Sequence, residues 1–194
     1  MNGTASATIG SEASRLIIIR GNSGSGKSSL AKAIRAARPR GVAIIGHDVL
    51  RREILHVRDR PGALSVPYID MSARFALDHG LHVIVEGILH SEIYGAMLAR
   101  LRSDHRGVTR SYCYELELDE TLRRHRTKTL ADEVTEETVA SWYRSIDRVP
   151  ELDEAVLGAD VSADDALERV LGDVGWKNPE EAPRGSGAEE RRSQ

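Results

Sequence analysis

The stretch Gly21-Asn22-Ser23-Gly24-Ser25-Gly26-Lys27-Ser28 spells G-x-x-x-x-G-K-S, with Ser29 directly behind it. Glycine lets a backbone turn its N–H groups inward, and lets phosphate oxygens approach where a Cβ would otherwise stand. Lys27 adds one positive charge at the end of the loop, within reach of a β- and a γ-phosphate. The Ser28 hydroxyl is an oxygen ligand suited to Mg2+. An apolar run, RLIIIR (15–20), precedes the loop, and a helical pattern, KSSLAKAIRAA (27–37), follows it. The motif needs that setting, because the helix N-terminus adds its dipole to the cradle. The expected chemistry is binding of a nucleoside triphosphate, with ATP and Mg2+ as cofactors and Gly21 to Ser29 as the binding set.

The loop alone does not say what becomes of the phosphate, since kinases, nucleotide switches and mechanical ATPases all use one. No N-K-x-D segment that reads guanine is present, WKNPE being the nearest, and no LSGGQ-like stretch. Transfer to a hydroxyl calls for a carboxylate that orients the hydroxyl and accepts its proton. Asp48, in GHDVLRREIL, is the expected base, and it also reads as a helix N-cap. His47 beside it and Arg51 one turn on are expected to contact the acceptor, Arg51 through an anionic or polar group. Arg52, on the next face, reads as solvated. Glu86, in LHVIVEG, is expected to bind the acceptor or to orient Mg2+ through water. Arg123, Arg124, His125, Arg126 and Lys128 form the densest cationic cluster and open an expected lid at about 123–136. Such a lid closes over the triphosphate and excludes water. Arg123 and Arg126, three apart, share a helix face and are expected to clamp the γ-phosphate. The loop holding Arg58, Asp59 and Arg60 falls on the acceptor side, while Trp142 and Tyr143 read as packing residues.

These residues need a frame that brings them together. Apolar runs alternate with helical patterns along the chain. Strands are expected at 15–20, 41–46, 81–87 and 109–118, with a short fifth near Val156. Helices are expected at 27–37, 48–55, 68–80, 91–104, 119–128, 135–147 and from about Ser162, with a loop at 56–67. That alternation predicts an α/β fold: a parallel sheet with helices on both faces. In such a sheet ligands bind beyond the carboxyl ends of the strands. Gly21, Asp48 and Glu86 all fall on that edge.

The chain has 194 residues, enough for one domain with a full core. Its 40% hydrophobic and 29% charged residues are those of a globular protein. Net charge is −3 and pI about 6.2, which gives no global pull toward nucleic acid or an anionic membrane. The single Cys113 forms no internal disulfide and reads as core filler, in keeping with a reducing compartment. The start MNGTASATIGSEAS lacks a cationic and apolar signal pattern, and no apolar run approaches a membrane span. A cytoplasmic protein is expected, with a disordered leader at 1–14, a P-loop kinase domain at 15–176 and a disordered tail at 177–194.

With the loop, GHDVLRREIL, VIVEGIL and LRRHRTK in view, the chain resembles the P-loop kinase group that includes chloramphenicol phosphotransferase, the zeta toxins and the kinase domain of polynucleotide kinase. The likeness spans about residues 15 to 172. It implies a P-loop NTPase fold of the nucleoside-kinase type, with a five-stranded parallel sheet. It also implies that Asp48 activates the acceptor and that the lid arginines follow the fourth strand. Asp48 to Arg51, D-x-x-R, looks like the polynucleotide kinase arrangement, where the arginine meets a nucleic-acid phosphate. Here there is no phosphatase domain and no overall basic charge. The leading expectation is an ATP- and Mg2+-dependent kinase for a small-molecule hydroxyl, such as an antibiotic or a nucleoside-like metabolite. A polynucleotide 5′-hydroxyl kinase is the alternative, and an ATP-binding regulator without an acceptor is the rival of another class.

Overall fold

The computed structural model describes residues 8–38, 40–126, 135–145 and 147–176. Its elements run β1 (Arg15–Gly21), α1 (Lys27–Ala37), β2 (Val42–Gly46), a π-helical turn (Val49–Ile54), α2 (Ser65–Asp78), β3 (His82–Gly87) and α3 (Ser91–Asp104). There follow β4 (Val108–Tyr114), α4 (Leu118–Arg126), α5 (Glu136–Trp142), a 3-10 turn (Pro150–Leu152), β5 (Ala155–Leu157) and α6 (Ala163–Asp173). The five strands form one sheet in the order β2-β3-β1-β4-β5, and every pairing is parallel. The expected α/β architecture is therefore the observed one.

Strand β1 lies at the centre, and Leu16, Ile17, Ile18 and Ile19 are fully buried. β-Branched residues suit a strand covered on both faces. Leu16 and Ile18 join Val83, Val85 and the inner faces of α2 and α3 in one core cluster. Ile17 and Ile19 join Ile84, Tyr112 and the inner faces of α1 and α6 in the other. Cys113 is buried as expected, and burial, with Glu154 nearby, pushes its thiol up to about 12.

Three local readings are corrected. Helix α2 begins at Ser65, inside the stretch expected to be a loop, because Pro67 falls in its first turn, where no N–H is needed. The segment after Asp48 is not α-helical: Leu55 N donates to Leu50 O at 2.9 Å, an i to i+5 bond that makes it a π turn. Residues 8–14, expected within a disordered leader, are held against the domain. Ile9 is buried, Ile9 N donates to Asp104 O at 2.9 Å, and Arg106 N donates to Ile9 O at 3.1 Å. Ser14 Oγ lies 2.7 Å from His105 Nε2, and Gly10 N donates to Asp78 Oδ1 at 2.8 Å. The remainder of the expected leader, 1–7, and the expected tail, 177–194, lie outside the described residues.

Candidate functional site

The phosphate loop joins the end of β1 to the start of α1. Gly21 and Gly26 have φ of 136° and 111°, values that side chains with a Cβ rarely adopt. A Cβ on Gly21 would also stand 2.7 Å from Tyr114 O, so β4 enforces glycine there. Lys27 is buried along the loop, its Nζ donating to Asn22 O at 2.6 Å and to Ser25 Oγ at 3.2 Å. Ser28 Oγ donates to Glu86 Oε2 at 3.0 Å. The strand register sets Ile19, Glu86 and Gly46 side by side on β1, β3 and β2. The phosphate loop, the His47-Asp48 turn and Glu86 therefore leave the sheet at one edge.

A cleft of about 690 Å³ opens on the α1 side of the loop. Gly24, Ser25, Gly26 and Ser29 line one wall, and Tyr114, Arg123, Arg124 and the stretch from Ala159 to Asp164 line the others. The arginine nearest the loop is Arg124, whose guanidinium donates to Ser25 O at 3.2 Å and to Ala159 O at 3.4 Å. The two arginines expected to clamp phosphate are held by carboxylates in this structure, Arg123 while also lining the cleft. Arg123 forms a two-bond pair with Glu120 at 2.6 and 2.7 Å, and Arg126 a two-bond pair with Glu136 at 2.6 and 2.9 Å. Both side chains are largely exposed, at 66% and 63%, against 24% for Arg124. The bulk of the expected lid, residues 127–134, lies outside the described residues. Beyond it, Asn22 of the loop holds the backbone of Arg144, donating to its O at 2.7 Å and accepting from its N at 3.0 Å.

On the other side of the edge, Asp48 makes no capping bond, and its carboxylate is over half exposed. Oδ1 lies 3.4 Å from both Arg51 and Arg52. Arg52 is thus a partner of Asp48 rather than merely solvated, and it stands 5.4 Å from the centre of the Trp142 ring. Trp142 itself is half-buried. His47 is buried against β3, where a Cβ on Gly87 would come within 2.4 Å of its own Cβ. Its Nε2 lies 2.9 Å from Tyr94 Oη and 3.3 Å from Asp59 Oδ2. The Asp59 carboxylate is turned inward onto His47 and Tyr94. Burial would raise its pKa, but hydrogen bonds from His47 and Tyr94 outweigh burial and hold it below the ordinary range. Arg58 and Arg60 are exposed.

A buried support that sequence reasoning missed lies beneath the loop. Arg20 is fully buried at the end of β1. It donates to Leu89 O at 3.0 and 2.8 Å, to Asp147 Oδ2 at 2.9 Å and to Glu154 Oε1 at 2.8 Å. Leu89 accepts this fork at φ 47°, a left-handed conformation that costs about 1–2 kcal/mol. Burial would raise the pKa of Asp147, yet hydrogen bonds from His90 and Ser91 and the Arg20 charge bring it down to about 2. The arginine at the end of an apolar run was the available signal.

No family model matches the chain, and no curated protein matches it. Solved structures do. An APS kinase from Mycobacterium tuberculosis, solved with AMPPNP and APS, is 22% identical with a TM-score of 0.62, over 84% of this chain and 98% of that one. A gluconokinase from Sinorhizobium meliloti is 17% identical with a TM-score of 0.61, over 85% and 94%. A tunicamycin resistance protein from Deinococcus radiodurans is 17% identical with a TM-score of 0.57, over 85% and 98%. The fold is the P-loop kinase fold. At these identities the likeness extends to the fold and no further.

The residues present fit a hydrated Mg2+. Among the described residues no group of three or more His, Cys, Asp or Glu side chains is placed to cage a metal. Mg2+ in phosphate sites is held instead by one or two side-chain oxygens, water and phosphate. The Ser28 hydroxyl and the Glu86 carboxylate behind it are such a pair.

Proposed function

We propose that this chain is an ATP- and Mg2+-dependent phosphotransferase acting on a hydroxyl of a small molecule. The observation that carries the reading is the convergence at one sheet edge of Lys27 and Ser28 with Glu86 and the exposed Asp48 carboxylate. The loop amides and Lys27 hold the β- and γ-phosphates. The cleft between α1, Arg124 and the β5–α6 loop receives the base and sugar, with Arg124 as a wall. Bound Mg2+ withdraws charge from the phosphate oxygens. Asp48 orients the acceptor hydroxyl and accepts its proton, while Arg51 and Arg52 fix the carboxylate and face the acceptor. Arg123 and Arg126 reach the γ-phosphate only after leaving Glu120 and Glu136, as closure of the lid would require.

The likeness to chloramphenicol phosphotransferase, zeta toxins and polynucleotide kinase rests on the sequence patterns at 46–55, 83–89 and 122–128. An antibiotic or a sugar-like metabolite is a fitting acceptor, since the solved neighbours include a tunicamycin resistance protein and a gluconokinase. Net charge of −3 disfavours a nucleic-acid acceptor. No described helix is long and apolar enough to cross a membrane, and the buried lone thiol suits the cytoplasm. The test is γ-labelled ATP incubated with pools of polyols, nucleosides, antibiotics and a 5′-hydroxyl oligonucleotide. Label is expected in a small-molecule product. Label in the oligonucleotide alone would replace the acceptor class, and label in nothing would favour a regulator.

A further inference from the structure

His47 is 99% buried on 1% side-chain exposure, yet its Nδ1 has no hydrogen-bond partner among the described residues. The other nitrogen is committed. Tyr94 Oη donates to Asp59 Oδ1 at 2.6 Å and lies 2.8 Å from Ser65 Oγ. The Tyr94 proton is therefore spent on Asp59, and an ionised Asp59 has none to give. His47 Nε2, within reach of both oxygens, must carry a proton to be satisfied there. The neutral ring thus keeps its bare lone pair on Nδ1. That nitrogen is 4.0 Å from Asp48 Oδ1, about 1 Å beyond a hydrogen bond. Closing it takes a turn of the Asp48 side chain, which is more than half exposed. The charged and titratable groups around the ring are Asp59 from the loop before α2, Tyr94 from α3 and Asp48 from its own segment, with Arg51 close to Asp59 and Glu86 beside Gly46, the residue before His47.

We propose that His47 is a positioning residue that relays the acceptor's proton away from Asp48, a role that rests on the reading of Asp48 as the base. As the acceptor oxygen bonds to the γ-phosphorus, the bond from that phosphorus to the β-bridging oxygen breaks, and its electron pair leaves with ADP. The acceptor's proton passes to Asp48 Oδ1 and then to His47 Nδ1. The imidazolium so formed lies between Asp48 and Asp59, and the proton returns to solvent through the exposed Asp48 when products leave. Asp59 and Tyr94 keep the ring in the tautomer that can receive.

The probe is MgATP with water as acceptor, phosphate release being followed from pH 6 to 9. His47→Gln keeps an N–H for Asp59 and deletes Nδ1. Its rate is expected to fall about tenfold near pH 7, with ATP affinity unchanged, and to recover toward wild type as hydroxide replaces the relay. Asp59→Asn, which takes away the carboxylate that fixes the tautomer, should also lower the rate near pH 7. A His47→Gln rate and pH profile identical to wild type, beside a slowed Asp48→Asn, overturns the relay and leaves the base in place. An Asp48→Asn enzyme as fast as wild type removes the base, and the relay with it. Long-range 1H–15N spectra of the unaltered protein provide a folding-independent check. An Nε2–H tautomer supports the relay, and an Nδ1–H tautomer overturns it.

Discussion

The Ser28 hydroxyl donates to Glu86 Oε2 at 3.0 Å, so the last residue of the phosphate loop is tied to the carboxyl end of the neighbouring strand. That bond joins the glycine-rich loop to the strand end that stands beside the His47-Asp48 turn. It also makes the serine a better oxygen ligand, as carboxylates behind metal ligands do. Ser28→Ala should raise the Mg2+ concentration needed for half-maximal nucleotide binding by about tenfold, and Glu86→Gln by less. Titration of a fluorescent ATP analogue at graded Mg2+ measures both. Equal Mg2+ requirements in all three proteins would separate Glu86 from the metal.

Arg124, rather than Arg123, touches the loop carbonyl of Ser25 and the carbonyl of Ala159 across the cleft. Arg124→Ala should weaken ATP binding about tenfold, on the order of 1.4 kcal/mol. Arg123→Ala should leave binding near wild type and lower the transfer rate if the lid brings it to phosphate. Calorimetric titration with MgATP distinguishes the two, and equal losses would dissolve the distinction.

This pair marks what the sequence could carry. The loop, the strand alternation and the shared edge of Gly21, Asp48 and Glu86 are legible because each follows from a local pattern. Which of three neighbouring arginines bonds across the cleft is a matter of rotation around one short helix. Glu120 pairs with both Arg123 and Arg124, as helical spacing allows, whereas Glu136, ten positions on from Arg126, is a partner that spacing does not announce. The His47, Asp59, Tyr94 and Ser65 cluster is assembled from distant segments for the same reason. Ile9 is one large apolar residue in a polar stretch, too little to signal that the stretch packs. Arg20 reads as a charge flanking a strand until Asp147 and Glu154 are seen to arrive from 127 and 134 positions away.

Removing Arg20 leaves Glu154 buried without its cation. Arg20→Met should cost about 3–5 kcal/mol of stability, the range for breaking one side of a buried pair. It should also loosen the segment that Asn22 holds beside the loop. Urea denaturation reads the first effect, and a midpoint within error of wild type would show that the network carries no stability.

Acid should weaken the fold in two steps. Burial and the nearby Arg15 charge press the His105 pKa down to about 4, below the ordinary value of 6.5. The unfolded chain therefore takes up a proton before the folded one does, and stability falls as pH drops from 6.5 toward 4. Asp147, at about 2, adds a further loss as pH falls from the ordinary carboxylate value near 4 toward 2. His105→Asn, with an amide beside Ser14 and Thr109, should flatten the upper step and leave the lower. Thermal midpoints collected between pH 7 and 2 test this, and an unchanged upper step would clear His105 of the role.

The most direct measurement compares wild type with Asp48→Asn in paired experiments: equilibrium binding of MgATP, and transfer of its γ-phosphate to a hydroxyl acceptor. Binding within twofold of wild type, with transfer reduced by about 10²-fold or more, is the expected result. Failure of the wild-type protein to bind MgATP, or undiminished transfer by the variant, would contradict it.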